Sequence, residues 1–259
     1  MTGPVIEAVG ASFGYAGRPA VDQLDLHVAP GEIVALLGPN GAGKTTTVLG
    51  LAGGVGLMAG SVKWKGRPTT ASLDQRVRRG ISLVREGRTV VKALSVADNL
   101  KLVAPVKRSL ELFPELEPHL RRRAGVLSGG QQQMLALARA LAREPELLMV
   151  DELSLGLAPV IVHRLFQALS HARSQGTSVL VVEQQVRQAL AIADRGYVLR
   201  RGRIYLEGTA AELKAKEADI EGAYLSAENP AGSDAEIAGT GATPHPRNDI
   251  KGTSNSALI

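Results

Sequence analysis

Residues Gly38-Pro39-Asn40-Gly41-Ala42-Gly43-Lys44-Thr45-Thr46 have the composition and spacing of a phosphate-binding loop. Glycines in such a loop let backbone N–H groups approach phosphate oxygens, the lysine reaches the β/γ phosphates, and the hydroxyl following it ligates magnesium, here Thr45. A second pair, Asp151-Glu152, closes the apolar run Leu147-Leu148-Met149-Val150. Carboxylates at the carboxyl end of a buried strand stand where α/β folds bind ligands. Beside a phosphate loop, Asp151 is suited to hold magnesium, and Glu152 to orient or activate water. A solvated strand end is the plainer alternative, and the loop in the same chain argues against it. A third cluster, Leu127-Ser128-Gly129-Gly130-Gln131, opens a helix and offers a further anion cradle of backbone N–H groups and a hydroxyl. One ATP has one γ-phosphate, already assigned to Lys44. The residues alone do not say why one domain carries two cradles.

The elements that must position these groups follow from pattern. Residues 5–9, 23–28 and 32–37 read as strands between turn signals such as Ala29-Pro30-Gly31. Glu32 to Leu37 runs into the glycine loop, and a helix is predicted from Lys44 until Gly50 and Gly53. Strand, glycine loop and helix in that order are the context a phosphate loop requires. Residues 93–123 are charged and helical, broken near Pro105, Pro114 and Pro118, as expected of a small separate lobe. Gln132 to Leu141 has helical periodicity. Residues 147–150 and 178–182 are short apolar runs suited to buried parallel strands, with a helix near 159–173 between them. Tyr197 to Leu206 reads as a hairpin turning at Arg201-Gly202, and helices over 209–225 close the unit. From about Ala227 to Ile259 the sequence turns to Gly, Ser, Thr, Pro, Asn and Ala without periodicity, which predicts a disordered tail.

With 259 residues and 44% hydrophobic content, the chain suits one nucleotide-binding unit with a subdomain and is too short for two. The absence of cysteine removes disulfides, thiol nucleophiles and thiolate metal sites, and fits a reducing compartment. Met1 to Tyr15 has no basic start followed by an apolar stretch, and no window reaches the ~18 apolar residues of a membrane span. Any membrane role is therefore expected through a partner. The formal charge of +5 raises nucleic acid as a ligand, with arginine clusters at 76–79, 121–123 and 200–203. Those clusters are short and scattered, and only 3% of the chain is aromatic, so solvated faces and nucleotide or lipid-headgroup proximity are the expectation, and nucleic acid is not.

The loop at Gly38–Thr46, the Leu-Ser-Gly-Gly-Gln run at 127–131 and the strand ending in Asp151-Glu152, in this order, resemble the ATP-binding cassette ATPase of ABC transporters over about residues 4–226. The resemblance implies an α/β P-loop fold with a parallel core sheet, an antiparallel β portion and a small helical subdomain over about 93–140. It further implies MgATP hydrolysis and head-to-tail pairing of two cassettes. Ser128, Gly129, Gly130 and Gln131 of one cassette then close on the ATP held by Lys44 of the other, which explains the second cradle. Tyr15 falls where the family stacks an aromatic on adenine. Glu86 stands where most relatives have a magnesium-ligating glutamine, and Gln184 where most have a histidine contacting the γ-phosphate. A glutamine amide can donate there but cannot take a proton, leaving base chemistry to Glu152.

The runs Glu86-Gly87-Arg88, Ser154-Leu155-Gly156-Leu157-Ala158-Pro159, Val182-Glu183-Gln184 and Ala193-Asp194-Arg195-Gly196-Tyr197-Val198-Leu199 are similar to the second ATPase of branched-chain amino acid importers. That likeness implies uptake of leucine, isoleucine and valine, two permease subunits, a second and different cassette, a substrate-binding protein, and a place on the cytoplasmic face of the cell membrane. Importers of urea or short amides share much of the pattern. A soluble ABC ATPase acting on nucleic acid or ribosomes usually carries a coiled-coil insertion or two cassettes, and neither is present. Three features depart from the subgroup: Arg85 and Leu153 replace usual prolines, and the lobe between Asn99 and Ser128 is shorter. Freer backbone at the two proline positions implies less rigid loops beside magnesium and slower hydrolysis.

Overall fold

The computed structural model describes residues 3–228 except 86, 88 and 89; of 225–228 it describes the backbone alone. Strands β1 (Ile6–Tyr15) and β2 (Arg18–Val28) form an antiparallel hairpin, followed by β3 (Ile33–Leu37) and helix α1 (Lys44–Ala52). β1 is longer than the five residues expected, because register shifts between Ala8 and Gly14 interrupt the two-residue alternation that marks a strand. Next come β4 (Leu57–Trp64), β5 (Arg67–Pro68), α2 (Leu73–Arg78) and β6 (Ile81–Val84), none of which the sequence pattern had assigned.

The lobe consists of α3 (Val96–Lys101), α4 (Val106–Leu112) and 3-10 turns at Pro114–His119 and Ala124–Val126. Pro105 caps α4 and Pro114 opens the first of those turns, as expected of residues that cannot continue a helix. Then follow α5 (Gly129–Leu141), β7 (Leu147–Asp151), α6 (Pro159–Ser174), β8 (Ser178–Glu183), α7 (Val186–Leu190), the hairpin β9 (Arg195–Arg200) and β10 (Arg203–Thr209), α8 (Ala210–Ala215) and α9 (Glu217–Glu228). α9 ends just past the boundary expected for the tail, whose residues 229–259 lie outside the described part.

Two sheets organise these elements. One is antiparallel, ordered β2-β1-β4-β5; the other runs β10-β9-β3-β8-β7-β6, parallel except for the β9–β10 pair. Every residue of β3, β7 and β8 is buried, as a sheet covered on both faces demands. Ile33, Ala35 and Leu37 pack with the α5 and α6 helices, whereas Val34 and Leu36 pack with Phe13, Leu24 and Leu51 on the opposite face. The parallel strands thus carry two cores, and their carboxyl ends deliver Gly38, Asp151 and Gln184 to one edge.

One expectation is overturned in part. Arg76, placed by the sequence on a solvated basic face, is 6% exposed. Its guanidinium donates to the carbonyls of Ala71 (2.8 Å), Leu51 (2.5 Å) and Thr69 (3.1 Å), so it closes the C-terminal end of α1 against α2. Burial lowers its pKa, with Arg79 adding repulsion.

Candidate active site

β3 ends at Leu37, and the chain turns through Gly38–Gly43 before α1 begins. Gly43 caps α1 with φ 103°, a left-handed conformation that disfavours a side chain, and a Cβ there would also meet the Ala20 carbonyl at 2.9 Å. No side chain caps this helix start, so its first N–H groups remain available to an anion. Lys44 is 4% exposed, and its Nζ donates to the carbonyls of Gly38 (2.9 Å) and Pro39 (3.1 Å). Glu152 Oε1 lies 3.4 Å from the same ammonium. All three partners are oxygen acceptors of the kind a phosphate supplies.

A cleft of about 440 Å³ opens here, lined by Asn40, Gly41, Gly43, Lys44, Thr45, Thr46 and Glu152 together with Ala20 and Leu155. It unites the loop with a carboxylate more than a hundred residues away. Asp151, 1% exposed, is the last residue of β7 and directly precedes Glu152. Glu152 itself has φ 51°, unusual for a residue with a side chain, and its N–H donates to the Val182 carbonyl at 3.0 Å. Strain of this kind persists only where the surrounding fold enforces it.

The other expected site residues are arranged differently. Pro39 and Gly38 contribute carbonyls, and Ala42 is buried behind the loop. Ser128, Gly129, Gly130 and Gln131 do not line the cleft; they open α5, where Ser128 Oγ accepts the Gln131 N–H in a capping box. Tyr15, at the end of β1, is 54% exposed and outside the cleft, as is half-buried Gln184. Glu86 lies outside the described residues.

Two features were not anticipated. Glu183 is 2% exposed and accepts from both the N–H (3.0 Å) and the hydroxyl (2.8 Å) of Ser154, joining the segment before Gln184 to the loop after Glu152. Burial pushes its pKa up and the nearby Glu152 charge adds to the rise, while the Ser154 bonds oppose it. An acid ending the apolar run Ser178–Val182 was the available signal. Leu153, where the subgroup has proline, is 1% exposed in the helical core, so side-chain packing restrains this loop. A further groove of about 290 Å³ lies between α2, β6 and α5, walled by Leu73, Val77 and Leu83 and bordered by Arg85, Arg139 and Arg143.

Residues 21–154 match the family model described as ABC transporter. The chain belongs to the ABC transporter ATP-binding cassettes. It is 40% identical over 222 residues to the high-affinity branched-chain amino acid transport ATP-binding protein BraG of Pseudomonas aeruginosa, covering 82% of this chain and 95% of that one. It is 35% identical to the lipopolysaccharide export system ATP-binding protein LptB of Escherichia coli, covering 85% and 96%. The fold matches the crystal structure of the ADP conformation of an ABC transporter cassette with a TM-score of 0.77 and 24% identity, covering 86% of this chain and 99% of that one. The ABC cassette therefore binds ATP and hydrolyses it to drive transport, and cassettes of this family work as dimers with membrane permease subunits. Among the described residues, no helix is long and apolar enough to cross a membrane.

Proposed function

We propose that this ABC cassette is the ATP-hydrolysing subunit of an importer of branched-chain amino acids, working at the cytoplasmic face of the membrane. The observation that carries the substrate reading is the 40% identity to BraG across nearly the whole of that protein. The subgroup-like runs following Asp151-Glu152 and Val182 support it.

In this reading Lys44 and the N–H groups at the start of α1 hold the β/γ phosphates, with Tyr15 against the adenine. Thr45 lines the cleft and buried Asp151 directly precedes its Glu152, a hard-oxygen set that fits magnesium, and Glu86 would complete it. Magnesium, when bound, would neutralise phosphate charge. Glu152, on the wall of the same cleft, accepts the proton of the attacking water, and Gln184 donates to the γ-phosphate. Ser128, Gly129, Gly130 and Gln131 complete the corresponding site of a second, different cassette, so that ATP holds the pair together. The arginine-bordered groove beside α5 receives a permease segment, and a substrate-binding protein delivers the amino acid from outside.

The test is ATP-dependent uptake in vesicles carrying this chain, its sister cassette and the permeases encoded beside it. Accumulation of leucine, isoleucine and valine, but not urea or amides, is expected. Selective uptake of urea or amides, ATP-dependent lipid extraction, or salt-sensitive nucleic-acid binding without membrane association would refute the proposal.

A further inference from the structure

His119, the last residue of the turn at Pro114–His119, touches α5, the helix opened by the signature Ser128-Gly129-Gly130-Gln131, at a point that the roles above leave unused. The side-chain amide of Gln131 has two partners. Its Oε1 accepts the Ser128 backbone N–H at 3.0 Å, and its Nε2 lies 2.8 Å from His119 Nε2. A backbone N–H can only donate, so Ser128 fixes which end of the amide faces which neighbour. The NH₂ end then faces the ring and can only donate. His119 Nε2 must therefore carry the lone pair, and the proton of the neutral ring sits on Nδ1. Arg122 Nη1, 3.3 Å from Nδ1, is also a donor and gains no hydrogen bond from that nitrogen.

We infer that His119 is a positioning residue for the signature: its Nδ1–H tautomer holds Gln131 in the orientation that caps α5 at Ser128. Ser128 and Gln131 also hold each other, through Oε1 and through the Gln131 N–H bonded to Ser128 Oγ at 3.3 Å. His119 fixes the remaining end of that amide from outside the helix. The other charged groups around the turn are Glu115, engaged by Arg164 at 2.5 Å, and exposed Glu117. Arg121 and Arg123 flank Arg122 in sequence, α5 presents the neutral Gln131, and α4 carries Lys107, Glu111 and Arg108, the last paired with Glu144 at 2.9 Å.

This inference rests on the proposal that the signature closes on the ATP of a paired cassette, and the experiment separates the two. In the full ¹⁵N-labelled chain, two-bond imidazole correlations, assigned by their loss in His119→Gln, should show the Nδ1–H tautomer. A dominant Nε2–H tautomer would overturn the inference. ATP-driven pairing with the sister cassette is then measured by sedimentation in the Glu152→Gln background. His119→Leu should weaken pairing roughly 2- to 10-fold per site, the worth of one neutral hydrogen bond. His119→Gln should restore it, because its amide oxygen accepts where Nε2 did. Failure of His119→Gln to rescue would overturn the inference. Ser128→Arg, which fills the cradle, tests the underlying proposal. If it pairs as well as its parent, the signature reading fails; if it abolishes pairing while His119→Leu has no effect, only the role of His119 fails.

Discussion

Glu183 offers the most quantitative test of how the site is held. Its carboxylate accepts two hydrogen bonds from Ser154, a residue itself 4% exposed. Glu183→Ala leaves the Ser154 N–H without an acceptor, at about 1–3 kcal/mol for a stranded buried donor. It also removes one buried methylene, at about 0.8 kcal/mol. Release from the burden of a buried charge offsets part of this, so a net loss of about 1–3 kcal/mol is expected at neutral pH. Glu183→Gln keeps an oxygen for the Ser154 N–H and lets the hydroxyl turn to accept from the amide. It is therefore expected to be at least as stable as the parent, within about 1 kcal/mol. The sign with pH follows from burial. The folded carboxyl has a pKa above its ordinary 4.5, so the native state binds this proton more tightly than the unfolded chain. The parent's stability relative to Glu183→Gln should rise as pH falls through the raised value, be complete below 4.5, and be lost again as pH rises. Urea unfolding followed by circular dichroism and by the single tryptophan, Trp64, measures each difference. An alanine variant within about 0.5 kcal/mol of the parent, or a flat pH difference against the glutamine variant, would refute the argument.

Three further outcomes are expected. Lys44→Ala should abolish tight ATP binding in calorimetry, because it removes the ammonium held against Gly38 and Pro39. Glu152→Gln should retain ATP binding but lower turnover by about 10² to 10⁴ and trap an ATP-held dimer, and Glu152→Gly should lose turnover while gaining up to about 1 kcal/mol from relief of the left-handed backbone. Arg76→Ala should lower unfolding stability by about 2–4 kcal/mol, since three carbonyls lose their donor, and an effect below about 0.5 kcal/mol would show that solvent replaces it freely.

The sequence by itself determined the local chemistry. Gly38–Thr46, the end of the Leu147–Asp151 strand and the Ser128 cap depend on contiguous residues, and the backbone geometry each requires is written in glycine placement, apolar runs and capping types. The parallel strands β3, β7 and β8, buried on both faces, were legible for the same reason, whereas β4 to β6 were not. β4 is largely exposed and interrupted by Gly60, and β5 has two residues, so neither carries a periodic signal. Tertiary structure alone decided which distant groups meet. It placed Glu152 3.4 Å from Lys44, buried Glu183 under Ser154, turned Arg76 from a basic surface run into a three-carbonyl anchor, and set His119 against Gln131. Each of these contacts depends on how strands and turns pack across the sheet. Long-range pairing of charged and polar groups leaves no period in the chain, because a side chain's partner is fixed by topology and burial, not by its neighbours in sequence.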